Sequence, residues 1–150
     1  MIEEVERIVI SLPATAEYVD IVRLNLYGVA SKMGFSYEEI EDMKVAVSEA
    51  CNNSVLYAYK QETGKMEITF EVLADALSIT VKDEGESFEP WGKTGERVTL
   101  HEKELNEAPI GGLGFYLMQA LMDDVCVESQ AGQGTKVMMV RRLQKSEEKV

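Results

Sequence analysis

Residues 36–53 read SYEEIEDMKVAVSEACNN. Ser36 and Glu39 have the spacing of a capping box, in which each side chain satisfies a backbone N–H at a helix start. The acids that follow suit the positive end of the helix dipole. Ile40, Met43, Val47, Ala50, Ser54 and Ala58 recur at the intervals of one helical face, and this face is expected to point inward. Glu49 and Asn53 are four residues apart, so their side chains stack. At about 100° per residue they fall away from the inward stripe. The stretch is thus a helix with a capped start, a buried side and a carboxylate–amide pair on another side. Such a pair places a proton acceptor beside a ligand for a hard cation.

Upstream, Val5 to Leu12 alternates like a half-buried strand that Pro13 ends. A helix is expected from Ala16 to Lys32, with Val19, Val22, Leu26, Val29 and Met33 as its stripe and Gly34 as its stop. Downstream, Met66–Val72 and Leu77–Lys82 form a hairpin through residues 73–76. Periodicity is lost from Asp83 to Pro109. It returns in a helix from the run Gly111-Gly112-Leu113-Gly114 to about Met122. Two strands, Val125–Glu128 and Thr135–Arg142, flank a turn at 131–134, and a charged tail starts near Gln144. Strands and helices mix without regular alternation. The expected class is α+β: a two-layer sandwich, a mostly antiparallel sheet with helices on one face. The 150 residues are expected to form one domain.

The formal net charge of -12 opposes a nucleic-acid backbone or an anionic membrane as main partner. Cys51 and Cys126 lie in apolar runs and are expected to be buried thiols rather than a disulfide. The sole histidine, His101, leaves little for a histidine-based nucleophilic catalyst. The first residues carry acids where a signal peptide needs bases, and no window has the ~20 apolar residues of a membrane span. The cytoplasm is the expected compartment.

Three further segments carry chemistry. Asp83-Glu84-Gly85 stands at a strand end, where a carboxylate can accept from an exocyclic amine and a glycine lets a flat ligand approach. Gly111-Gly112-Leu113-Gly114 opens a helix, where free N–H groups and the dipole favour an anion. It lacks the Lys and Ser/Thr of a P-loop. Gly132-Gln133-Gly134-Thr135 enters the last strand, with the Thr135 hydroxyl available to a base.

Together with Glu49 to Asn53, and in this order, the segments resemble the N, G1, G2 and G3 boxes of the GHKL (Bergerat-fold) ATPases. Within them the chain resembles the anti-sigma factor serine kinases. Residues 18–24 (YVDIVRL), 40–53 (IEDMKVAVSEACNN), 83–88 (DEGESF) and 111–118 (GGLGFYLM) carry the likeness. Ser87 departs from the second glycine of many members. Tyr57 departs from the histidine of sporulation-type relatives, which removes a polar group near the phosphates.

The resemblance implies an ATP-dependent protein-serine kinase. Glu49 would be the general base and Asn53 a Mg²⁺ ligand. Asp83 would bond the adenine amine, with Gly85 giving room and Thr135 assisting. Gly111, Gly112, Leu113 and Gly114 would form the phosphate loop, and residues from about Glu86 to Ile110 the ATP lid. The implied partners are a sigma factor that is sequestered, with Arg23 at the contact, and an anti-anti-sigma factor that is phosphorylated; the implied assembly is a homodimer. Two other readings share these boxes: a catalytically silent, nucleotide-sensing module that binds sigma factor, and a histidine-kinase-type ATPase domain.

Overall fold

The structure, a computed structural model, describes residues 5–55, 64–84, 97–99, 112–130 and 134–144. Nine elements follow in the order β1 (Glu6–Pro13), α1 (Ala16–Met33), α2 (Tyr37–Asn53), β2 (Lys65–Val72), β3 (Ala76–Asp83), β4 (Arg97–Thr99), α3 (Gly112–Leu121), β5 (Asp124–Gln130) and β6 (Gly134–Arg142). The strands make one sheet in the order β1-β2-β3-β6-β5-β4. Every pairing is antiparallel. The three helices contact β2, β3 and β5. The chain is therefore the expected two-layer α+β sandwich.

Local chemistry explains the helix limits. Gly34 ends α1 with a left-handed backbone (φ 102°), and its N–H bonds to the carbonyls of Ala30 and Ser31. The capping box is present: the Glu39 N–H donates to Ser36 Oγ at 3.1 Å, and the Ser36 N–H donates to Glu39 Oε1 at 2.8 Å. Val19, Val22 and Leu26 of α1 and Ile40, Met43, Val47 and Ala50 of α2 are buried against Ile68, Phe70, Ile79 and Met139 of the sheet. Each large side chain so buried stabilises the fold by about 1.5–3 kcal/mol relative to exposure. Arg141 ties the far ends of two helices together. Its Nη1 donates to the Leu121 carbonyl at the end of α3 (2.8 Å), and the guanidinium faces Glu39 and Asp42 at the start of α2 (4.0 and 3.8 Å). A cation at a helix C-terminus and acids at an N-terminus both complement the dipoles.

Four features differ from the expectation. β1 is largely exposed rather than half-buried, because it is the edge strand and α1 covers only part of it. β4 lies inside the segment read as irregular; three residues carry no period. Cys51 is buried as expected, but Cys126 is only half-buried, on a strand whose alternate residues face away from the helices; neither is in a disulfide. Asn53 was placed away from the buried stripe, yet it is 8% exposed. Ala58 lies outside the described residues.

Candidate nucleotide and phosphoryl-transfer site

β3 ends on Asp83, whose carboxylate is 4% exposed. Burying a carboxylate is costly unless its oxygens are hydrogen-bonded. Here Ser54 Oγ donates to Oδ2 at 2.9 Å and the Thr135 N–H donates to Oδ1 at 3.3 Å. Register explains the second contact, because Asp83 and Thr135 are cross-strand partners. Thr135 in turn pairs with Ser129 on β5, and the two hydroxyls are 3.3 Å apart. The Thr135 side chain thus reaches Ser129, while its backbone serves Asp83. One end of the sheet therefore carries a row of buried polar groups, Asp83, Thr135 and Ser129, joined by Ser54 from the end of α2.

Gly134 makes this arrangement possible. Its φ of 88° is left-handed, and a Cβ there would stand 2.0 Å from the Asp83 carbonyl oxygen and 2.7 Å from Glu84 Cα. Only a glycine allows β6 to begin so close to the end of β3.

Glu49 and Asn53 lie on the last turns of α2. Asn53 Nδ2 is buried and has no hydrogen-bond partner among the described residues. A buried amide left without a partner costs about 1–3 kcal/mol, a cost that a bound ligand can remove. Glu49 is half-buried, and its Oε1 lies 2.9 Å from the point where a Cβ on Gly114 would sit. The carboxylate is thus set against the first turn of α3, the turn that the sequence assigns to phosphates. Gly112 opens that helix, and Leu113 beside it is 72% exposed. Gly85 and Gly111 lie outside the described residues, as do Tyr57, Ser87, His101 and all of the expected lid except β4.

Cys51 sits between Glu49 and Asn53 in sequence but points into the core. Burial pushes its thiol up to about 12, against a weaker lowering effect of Arg23. A thiol buried and raised in this way is a poor nucleophile.

Arg23 stands apart from this cluster. A lone cation on a helix flank would keep its guanidinium in solvent. Instead its Nη1 donates to Ser48 Oγ at 2.7 Å, and it pairs with Asp20 one turn earlier on α1. Ser48 Oγ donates in turn to the Lys44 carbonyl at 2.6 Å. On α1, Leu24 next to Arg23 and Tyr27 one turn further on are exposed. Among the described residues, no helix is long and apolar enough to cross a membrane.

Ser54 and Ser129 were not singled out from sequence. Ser54 had been grouped with the inward stripe of α2. A hydroxyl on an otherwise apolar face was the available signal, since a buried hydroxyl needs a partner. Ser129 left no signal beyond a polar residue near a strand end.

The fit to a Mg-nucleotide can be judged from the side chains. Among the described residues, no cluster of three His, Cys, Asp or Glu is placed to hold a metal. Asn53 offers an amide one helical turn from the Glu49 carboxylate. That donor set suits Mg²⁺, which usually takes one or two protein ligands and fills its shell with phosphates and waters. The buried Asp83 acceptor at the sheet end suits an exocyclic amine.

Comparison with known proteins agrees with this geometry. Residues 12–141 match the model of the histidine kinase-like ATPase domain family. The chain is 42% identical over 149 residues to the serine-protein kinase RsbW of Bacillus cereus (strain Q1), covering 98% of this chain and 91% of that protein. It is 41% identical, with the same coverage, to the serine-protein kinase RsbW of Bacillus thuringiensis (strain Al Hakam). A crystal structure of the RsbU and RsbW domains of a Mycobacterium tuberculosis protein superposes with a TM-score of 0.68 at 21% identity. The match covers 97% of this chain and about a third (34%) of that longer one, and it speaks to the fold.

Proposed function

The chain belongs to the family of histidine kinase-like ATPase domains, and from that premise we propose that it is an ATP-dependent serine-protein kinase acting as an anti-sigma factor. The observation that carries the reading is the seat of the Glu49 carboxylate against the first turn of α3. A proton acceptor at the turn where phosphates are expected is what transfer to a hydroxyl requires.

In this reading Asp83 accepts from the adenine amine, held in place by Ser54 and the Thr135 N–H. Gly85 gives the base room. Gly112 and Gly114 would offer backbone N–H groups to the phosphates, with Gly111 and Leu113 completing the loop. Asn53 would hold Mg²⁺, which would supply charge neutralisation on the phosphates. Glu49 takes the proton of the substrate serine as its oxygen bonds to the γ-phosphorus and the bond to ADP breaks. The phosphate acceptor is an anti-anti-sigma protein, and the sequestered partner is a sigma factor. The protein works in the cytoplasm as a homodimer, folded as one domain with a lid over about residues 86–110 and a charged tail from about residue 144. The test is incubation with labelled Mg-ATP and a candidate anti-anti-sigma protein, followed by detection of phosphoserine. Binding of ATP without transfer would favour the silent nucleotide-sensing module instead.

Asp83→Asn is expected to weaken Mg-ATP binding by about 10- to 100-fold, the scale of a lost hydrogen bond to a charged group. Circular dichroism serves as the fold control, because the substitution also disturbs the Ser54 and Thr135 contacts. Unchanged affinity in titration would mean that adenine is read elsewhere.

Arg23 is the proposed anchor for the sigma factor. Leu24 and Tyr27, beside it and one turn further along α1, are exposed, and Arg is enriched at binding hot spots. Arg23→Glu is expected to lower sigma affinity by tenfold or more, the rough scale of a hot spot, with ATP binding unchanged. Ser48→Ala removes only the internal partner of Arg23 and separates docking from helix packing. If Ser48→Ala costs as much as Arg23→Glu, the arginine acts through α2 rather than on the partner.

A further inference from the structure

Gly114 sits within α3, buried, at the third residue of the helix. Alanine is the better helix former at such a position, so local propensity gives no reason for glycine here. The reason is on the facing helix. A Cβ on Gly114 would stand 2.9 Å from Glu49 Oε1, 3.6 Å from its Cβ and 3.8 Å from its Cδ. The space that a side chain at 114 would fill is thus taken by the Glu49 carboxylate. The nearest atom is the free end of a flexible side chain, so an added methyl would move the carboxylate and leave both backbones in place.

We propose that Gly114 is a positioning residue for the general base: the bare Cα on α3 forms the seat that fixes the Glu49 carboxylate for proton abstraction. The inference deepens the kinase reading above and rests on it. It gives Gly114 a role apart from that of an N–H donor to phosphate, because an alanine keeps the N–H and loses only the seat. The requirement is steric and falls on the base. It therefore acts on the transfer step and not on nucleotide affinity, and small displacements of a catalytic group are known to cost on the order of tenfold to a hundredfold in rate.

The test is a double-mutant cycle in the full chain, assayed with labelled Mg-ATP and the anti-anti-sigma protein used above. Gly114→Ala is expected to lower kcat by about tenfold to a hundredfold with KM for ATP and the Kd for Mg-ATP unchanged. Glu49→Asp shortens the side chain by one methylene and so removes the Oε1 contact at 2.9 Å that the new methyl would make. The double variant is therefore expected to be no slower than Glu49→Asp alone. Wild-type kcat in Gly114→Ala overturns the proposal. So does a raised KM for ATP at unchanged kcat, which assigns the glycine to the phosphates. Penalties that multiply in the double variant also overturn it. If the alanine lowers the melting temperature, the same cycle is read there: relief by Glu49→Asp supports the contact, and an unrelieved loss overturns it. Glu49→Gln separates the two levels of the argument. Wild-type transfer in that variant removes the base itself, whereas its loss beside a harmless Gly114→Ala removes only the seat.

Discussion

Glu49→Gln is expected to bind Mg-ATP like the unaltered protein and to transfer phosphate about 10²–10⁴ times more slowly, the usual worth of a general base. The amide has nearly the shape of the carboxylate, so its place against α3 is kept. What it loses is the capacity to take a proton. Asn53, one turn along α2, is untouched, so the proposed Mg²⁺ ligand stays in place. Single-turnover transfer of labelled phosphate, with Mg-ATP affinity measured in parallel, reads the two effects apart. Transfer at the rate of the unaltered protein would take Glu49 out of the chemistry. A parallel loss of ATP affinity would make it a binding residue.

Gly134→Ala is expected to destabilise the fold by about 3 kcal/mol or more, since it combines a left-handed backbone with a core clash. The clash is with main chain, the Asp83 carbonyl oxygen at 2.0 Å and Glu84 Cα at 2.7 Å, so no rotamer change relieves it. β6 must move away from the end of β3, which takes the Thr135 N–H from the Asp83 carboxylate. At this chain length the melting temperature should fall by roughly 6–12 °C, and Mg-ATP affinity should fall with it. A variant that melts within about 2 °C of the unaltered protein would show that β6 starts with slack at this point. The contrast with Gly114 is informative. A methyl at 114 meets the tip of a side chain, and a methyl at 134 meets backbone, so the first variant should be stable and slow and the second should be unstable.

The layered architecture was legible because its signals are local. The Ser36/Glu39 box, the stop at Gly34 and the three-four spacing in α1 and α2 each follow from residues within a few positions of one another. Glu49, Asn53 and Asp83 were legible as residues but not as a site. Their order matched a family pattern, while their partners are remote in sequence. Ser54 is 29 residues from the carboxylate it serves, and Thr135 is 52 residues away. Those contacts depend on strand order, which no local pattern encodes. β4 was missed because three residues cannot show a period. The exposure of β1 depends on its place at the edge of the sheet and not on its own alternation. The contact of Arg23 with Ser48 has no local signal, because the two residues belong to different helices.

The strand order has a consequence for how the molecule is made. β3 pairs with β6 along its whole length, from Ala76 opposite Arg142 to Asp83 opposite Thr135. While the ribosome adds the residues between them, the emerging meander of β1, β2 and β3 has an open edge on β3. That strand is the one with Leu77, Ile79 and Val81, all later enclosed. Unpaired apolar edges of this kind recruit other chains. The interval before β6 emerges is therefore the moment of greatest risk of aggregation, and a fragment stopping short of Thr135 would keep that edge permanently open. Such a fragment would also lack the N–H that donates to Asp83, so translation must reach β6 before the proposed adenine pocket is complete.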